Sequence, residues 1–150
     1  MPTGGDRKPI RLVLSNTVID ESQFSPDGRW VACAPTESGQ AEIFVASFPE
    51  CTNIRQVSTG GGNAPRWRPD GKELFYVTTD GQLMAIEVTA SGTTLDTTAP
   101  KKLFATGVTT RTPGGNTFSV SGAGSRFLVL AGESRSTPIT VVLNWTSLLK

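Results

Sequence analysis

The chain has 150 residues, of which 37% are hydrophobic and 16 are glycine, a composition typical of a folded globular domain rather than a disordered chain. Its 14 basic and 13 acidic side chains leave a formal net charge of +1, so charge does not favour nucleic acid or an anionic membrane surface as a partner. Histidine is absent, which removes the commonest general base near neutral pH and the usual nitrogen ligand of zinc.

The N-terminal stretch is predicted to contain a linker and one isolated strand. Residues 1–9 lack the apolar run of a secretory signal and are interpreted as a linker. Residues 10–15 follow with the pattern of a short outer strand, and the folded domain is expected to span 10–150. No apolar run approaches the roughly 20 residues that a membrane-spanning helix needs, so no membrane span is predicted in this chain.

A turn motif recurs along the chain at a nearly fixed spacing. Ser-Pro-Asp-Gly at 25–28 is followed by Arg-Pro-Asp-Gly at 68–71, so that Gly28 and Gly71 are 43 residues apart. A degraded third copy, Ser-Gly-Ala-Gly, lies at 121–124. Since blades repeat every ~40 to 45 residues, this spacing predicts stacked four-stranded units.

Each turn leads into a short run of β-forming residues, and no segment shows a clear helical period. We therefore predict an all-β fold, a β-propeller with about three blades of four antiparallel strands. The predicted blades cover about 21–58, 63–106 and 116–145, with the strand at 10–15 as an outer strand.

At these turns the chain resembles the TolB-like propeller repeat, which is WD-repeat-like and of the PD40 type. Further motifs in the same order, among them 57–62, 65–67 and 138–145, resemble the C-terminal propeller of bacterial Ser/Thr protein kinases. The resemblance covers about residues 8–150 and implies a sensory role coupled to a kinase, and a periplasmic or extracytoplasmic location. The catalytic His-Arg-Asp of a kinase is not found in a chain without histidine, and the third turn departs from the Pro-Asp-Gly pattern.

Three blades are too few for a closed ring, which takes about four to eight. Two interpretations follow. The chain is either part of a longer propeller, or two copies form a homodimer that completes a six-bladed ring by exchanging the strand at 10–15.

Side chains facing the central channel are the candidate binding residues. The repeats align Phe24, Trp67 and Val120 in the innermost strands, so their neighbours are expected to point into the channel by strand alternation. These neighbours are Gln23, Arg66, Arg68, Ser119 and Ser121. Because guanidinium groups match carboxylate and phosphate, Arg66 and Arg68 could receive a small anion; the alternative is that both arginines are solvated or paired within the chain. A protein or peptide is the other expected partner.

No catalytic residue, metal site or cofactor is predicted. Gly60-Gly-Gly-Asn63 lacks the Lys-Ser/Thr of a phosphate-binding loop and is interpreted as a linker between blades. The surroundings of Ser121 do not form a nucleophile elbow, and Asp27, Asp70 and Asp80 stand singly at turns, as capping residues do. Cys33 is predicted to be inert core, and Cys51 falls in a loop.

The predicted function is that of a non-catalytic binding or sensory module that presents its channel mouth and loops to a ligand. An appendage that gates an oligopeptidase-like hydrolase is the enzymatic alternative. A self-assembling structural half of a propeller is a third interpretation.

Overall fold

The computed structural model describes residues 19–37, 39–107, 118–130 and 140–143, and these form thirteen β-strands. No helix occurs among these residues, and hence no helix long and apolar enough to cross a membrane. The predicted linker at 1–9 and the predicted outer strand at 10–15 lie outside the described residues.

The strands form three antiparallel sheets, each a meander in chain order. The first sheet contains β1 (Ile19–Phe24), β2 (Trp30–Glu37), β3 (Gln40–Ala41), β4 (Phe44–Ser47) and β5 (Arg55–Gln56). The second contains β6 (Asn63–Trp67), β7 (Glu73–Val77), β8 (Gln82–Ser91), β9 (Thr94–Thr97) and β10 (Lys101–Ala105). The third contains β11 (Phe118–Val120), β12 (Arg126–Val129) and β13 (Thr140–Leu143).

Four strands form the main path of each of the first two sheets, in the order β1-β2-β4-β5 and β6-β7-β8-β10. The short strands β3 and β9 pair beside these paths, with β2 and β8 respectively. The third sheet has the order β11-β12-β13. The predicted all-β architecture of propeller blades is therefore confirmed, and we call the three sheets blades 1, 2 and 3.

The repeated turn has the same backbone geometry in all three blades. Gly28, Gly71 and Gly124 have φ angles of 70°, 73° and 68°, and each amide donates to the carbonyl three residues earlier at 2.8 Å. Asp27 and Asp70 accept from the amides of Arg29 and Lys72 at 3.1 and 3.0 Å, as predicted for capping residues. The third turn keeps this conformation without proline or aspartate, because the glycine that accepts a positive φ is retained.

Two buried clusters hold successive blades together. Trp30 and Ala32 of blade 1 pack with Leu74 and Tyr76 of blade 2 in the first cluster. The alternate residues of β7, which include Phe75, pack against blade 3 in the second cluster. Phe75 and Phe127 meet edge to face with ring centroids 4.9 Å apart. Strand alternation thus gives the central strand of blade 2 one apolar face for each neighbouring blade.

Both cysteines are free thiols. Cys33 is fully buried in β2, and burial is the main cause that raises its pKa to about 11, with a smaller contribution from Cys51. The Cys33 thiol therefore stays protonated at neutral pH, which agrees with the prediction of inert core.

Candidate functional site

The innermost strands of the three blades stand side by side around one cavity. β1 contacts β6, and β6 contacts β11. A cavity of about 590 Å³ lies against these strands, a size typical of ligand-binding pockets. Gln23, Arg66 and Ser119, one predicted site residue from each strand, all line it. We call this space the channel cavity.

Most of the remaining wall of the channel cavity is apolar. It is formed by Phe24, Pro26, Trp67, Pro69, Phe118, Val120, Leu128 and Leu130. Three of these side chains remain accessible, with exposed fractions of 52% for Phe24, 38% for Leu128 and 51% for Leu130. Grouped apolar residues that stay exposed around a concave surface are typical of an interaction site. We call these three residues the apolar rim.

Arg66 carries the positive charge of the channel cavity, and an internal carboxylate balances it. Its Nη1 lies 3.4 Å from Oε2 of Glu21 and donates to the carbonyl of Pro65 at 2.8 Å. The side chains of Arg66 and Glu21 are only 16% and 17% exposed. The pair therefore presents little net charge to a molecule that enters the cavity.

Gln23 fixes the position of β1 against β6. Its Oε1 accepts from the backbone amide of Trp67 at 2.7 Å, and its backbone carbonyl accepts from the Trp67 indole at 3.2 Å. These two bonds connect neighbouring blades directly at the channel. Gln23 therefore has two roles: it lines the channel cavity, and it holds blade 1 against blade 2 at the cavity wall.

Both strands that carry the Arg66–Glu21 pair are irregular beside it. The register of β1 shifts between Ile19 and Ser22, and that of β6 shifts between Asn63 and Arg66. Ala64, within the second shift, has a φ of 54°, which is uncommon for a residue with a Cβ atom. Such irregularities redirect side chains, and here they lie where the channel-facing charges meet.

The other two predicted site residues lie at the turns and do not line the channel cavity. Arg68 contacts Glu73 at 2.7 Å and Asp70 at 3.2 Å, and it lines a different, charged cavity of about 560 Å³. The Ser121 hydroxyl accepts from the amide of Arg126 at 3.2 Å in the third turn. The structure thus brings three of the five predicted residues together, and their role in binding stays a prediction.

Sequence reasoning missed Glu21 and the apolar rim. Glu21 precedes Gln23 by two residues, the spacing that places two side chains on one face of a regular strand, but the register shift between Ile19 and Ser22 includes Glu21. Alternation alone therefore does not place Glu21 beside Arg66. Leu128 and Leu130 alternate with the buried Phe127 and Val129, and this pattern indicates a second apolar face on blade 3.

Other groups in the described residues that could bind a ligand or react are occupied within the fold or are not reactive. The Gly61 amide, where a phosphate-binding loop would hold its ligand, donates to the Glu42 carboxylate at 2.8 Å. Burial, and then the charge of Glu42, raises the pKa of Tyr76 to about 12, so its hydroxyl is neutral at pH 7. No group of three or more potential metal-ligating side chains occurs in the part of the chain that the structure describes.

Comparison with known proteins identifies the fold. The sequence matches no protein-family model and no curated protein. Among solved structures, TolB from Acinetobacter baumannii is similar with a TM-score of 0.55 and 18% identity, over 82% of this chain and 29% of that one. A putative 6-phosphogluconolactonase from Bacteroides uniformis is similar with a TM-score of 0.57 and 18% identity, over 85% of this chain and 37% of that one.

These likenesses show a TolB-like propeller-type fold, which agrees with the blades described above. The chain spans only 29% and 37% of the lengths of the two solved proteins. Because one of them is named as a putative enzyme, the fold alone does not decide whether this chain catalyses a reaction.

Proposed function

We propose that this chain is a non-catalytic recognition module that binds an uncharged, apolar segment of a protein or peptide at the channel cavity. The observation that carries the proposal is the apolar rim, since Phe24, Leu128 and Leu130 stay exposed around a concave space. Apolar pockets with a few polar groups are the usual sites of ligand recognition.

The charge of the cavity supports an uncharged ligand over a small anion. Arg66 already has the Glu21 carboxylate within 3.4 Å, and Arg68, which lies outside the cavity, has Glu73 within 2.7 Å. An anion at Arg66 would have to compete with a carboxylate that is held in place by the fold. Apolar contact with the rim has no such competitor.

The wider context proposed for this module is a bacterial Ser/Thr kinase-type or TolB-like protein. The Ser-Pro-Asp-Gly turns and the ordered motifs described above support it. In that context the propeller would sense a ligand outside the cytoplasm, and the module would act through a domain elsewhere in the protein.

A second copy of the chain is the second candidate occupant of the rim. Within the chain, the central strand of blade 2 has buried apolar residues on both faces, among them Phe75, which meets Phe127 of blade 3. Leu128 alternates with the buried Phe127 in β12, so strand alternation places it on the face of blade 3 opposite to the one that contacts Phe75. This open face favours a homodimer that completes a ring, and the mass in solution tests it.

The proposed function is tested with peptides selected for binding from a random library. Affinity is then measured by calorimetry against the wild type and against Leu128→Glu. We expect selected peptides to be rich in uncharged apolar residues and to bind Leu128→Glu at least about tenfold more weakly, equivalent to about 1.4 kcal/mol. A charge at the rim places a hydrated carboxylate against apolar groups.

Ile54→Glu is the matched control, because Ile54 is also apolar and 48% exposed but does not line the channel cavity. It should bind the selected peptides with wild-type affinity. Equal affinity of Leu128→Glu and wild type would refute recognition at the rim. A concentration-dependent doubling of mass that Leu128→Glu abolishes, without peptide binding, would support the homodimer instead.

A further inference from the structure

The wall of the channel cavity contains one side-chain amide whose orientation is fixed by the fold. Oε1 of Gln23 accepts from the backbone amide of Trp67 at 2.7 Å, and the Gln23 carbonyl accepts from the Trp67 indole at 3.2 Å. An N–H donor requires an oxygen opposite it, so the amide group cannot turn over without losing the first bond. The nitrogen Nε2 is therefore held on the side of the amide group that does not face the Trp67 nitrogen.

This nitrogen is available to a ligand as a hydrogen-bond donor. Among the described residues, Nε2 of Gln23 donates to no group, and it is not one of the buried polar atoms that lack a partner there. It is therefore accessible at the cavity that Gln23 lines. Because its position is fixed before a ligand arrives, a hydrogen bond from it costs little conformational entropy.

The other polar side chains of the wall differ in what they offer to a ligand. Arg66 already has the Glu21 carboxylate at 3.4 Å, which balances its charge. Ser119 of β11 is exposed, and its hydroxyl has no hydrogen-bond partner in the part of the chain that the structure describes. Since β6 lies between β1 and β11, Gln23 and Ser119 offer hydrogen bonds on both sides of β6, next to the apolar rim.

A fixed, uncharged donor beside apolar side chains favours a ligand with an uncharged acceptor. In the apolar segment of the proposed function, on which this inference rests, the backbone carbonyls are such acceptors. Carbonyls inside an α-helix are bonded to the amide four residues later, whereas those of an extended or polyproline II segment are free. We propose that the segment binds the channel cavity in an extended conformation, with one backbone carbonyl accepting from Nε2 of Gln23.

NMR on the full wild-type chain labelled with nitrogen-15 tests the hydrogen bond directly. The Gln23 side-chain amide signals are identified by their loss in Gln23→Glu, and they are followed while a peptide from the library selection is added. We expect these signals to shift saturably, because the amide proton acquires a carbonyl acceptor. Transferred nuclear Overhauser effects on the peptide should show the contacts between successive residues of an extended backbone, and not those of a helix.

The variant Gln23→Glu removes the donor and keeps an oxygen for the Trp67 amide. Its second carboxylate oxygen faces the ligand carbonyl, so the peptide should bind at least about tenfold more weakly by calorimetry. An unchanged Trp67 indole signal checks that the contact between the two blades is intact. Gln56→Glu is the matched control, because Gln56 is exposed and does not line the channel cavity, and it should bind as the wild type does.

Substitutions in the peptide identify the carbonyl that accepts the bond. Each backbone amide of the peptide is replaced in turn by an ester, whose carbonyl is a weaker acceptor. One replacement should weaken binding to the wild type several-fold and have no further effect on binding to Gln23→Glu, since coupled partners lose their interaction only once.

Two results would overturn the proposal. One is a peptide that binds Gln23→Glu as tightly as it binds the wild type, and the other is a peptide that becomes helical when it binds. In either case Leu128→Glu would still weaken the peptide if the proposed function holds, so the two failures are distinguishable. Failure of every peptide to bind the wild type would overturn both.

Discussion

Arg66 illustrates how one neighbouring side chain decides what a charged residue contributes to a site. Its position in β6 suggested a guanidinium in the channel that either binds an anion or is paired within the chain, and Glu21 of the adjacent blade lies 3.4 Å away. An ion pair with both side chains mostly shielded from water retains its partners better than one on an open surface. The pairing follows from the packing of β1 beside β6, which no pattern within either strand reveals.

A substitution at Gly71 tests whether the repeated turn requires a glycine with a positive φ. The φ of 73° at Gly71 is a strained backbone angle for a residue branched at Cβ. Space is not the obstacle, because a Cβ atom added at Gly71 would have Cδ of Pro26 as its nearest neighbour, at the normal van der Waals distance of 3.7 Å. Gly71→Val should therefore lower the free energy of unfolding by about 2 kcal/mol through backbone strain rather than collision. Urea denaturation measures this change.

Gly122→Val provides the control in the third turn. A Cβ at Gly122 meets nothing within 4 Å, and its φ is outside the left-handed region. This substitution should change the free energy of unfolding by less than about 0.5 kcal/mol. Equal destabilisation by the two substitutions would show that the turn conformation is not what matters at Gly71.

At the scale of elements, the linker between β5 and β6 sets how closely blades 1 and 2 approach. Gly62 donates its amide to the Ala41 carbonyl at 2.8 Å, and the Glu42 carboxylate bonds both the Ser58 hydroxyl and the Gly61 amide. The glycine-rich stretch is thus anchored to blade 1 through this carboxylate. The chain then passes directly into β6, whose Arg66 lines the channel cavity.

Gly62→Ala tests this close approach. A Cβ at Gly62 would lie 2.8 Å from Cγ1 of Ile43 and 3.0 Å from Cδ2 of Tyr76, both in the buried cluster between the blades. Overpacking of this kind should cost about 1–3 kcal/mol of unfolding free energy.

The matched control for Gly62→Ala is Gly122→Ala, where the added methyl group meets open space. Urea denaturation compares the two variants under the same conditions. A Gly62→Ala variant as stable as the wild type would mean that blades 1 and 2 leave room for a methyl group between Ile43 and Tyr76.

The elements were more predictable than the site. The turn motif has a local cause in glycine φ and aspartate capping, so its spacing was enough to locate β2, β7 and β12. The contents of the channel cavity depend on residues from different blades, such as Glu21 with Arg66. Arg68 shows the limit of sequence patterns most clearly. Strand alternation predicted that its side chain faces the channel, but ion pairs with the carboxylates of Glu73 and Asp70 hold it at the turn.

At the scale of the whole molecule, the described blades present one concave apolar surface on a nearly neutral protein. The net charge of +1 provides no long-range attraction for a charged partner, and the Arg66–Glu21 pair removes the local one. Recognition at the channel cavity is therefore expected to depend on apolar contact with Phe24, Leu128 and Leu130.

The dependence of peptide affinity on salt tests this claim most directly. The dissociation constant of a selected peptide is measured by calorimetry with the wild-type chain between low and high sodium chloride concentration. Apolar recognition predicts a constant that changes by less than about twofold, because added salt screens charges and leaves apolar contact in place. A dissociation constant that rises about tenfold or more with salt would show that charge, and not the apolar rim, holds the ligand.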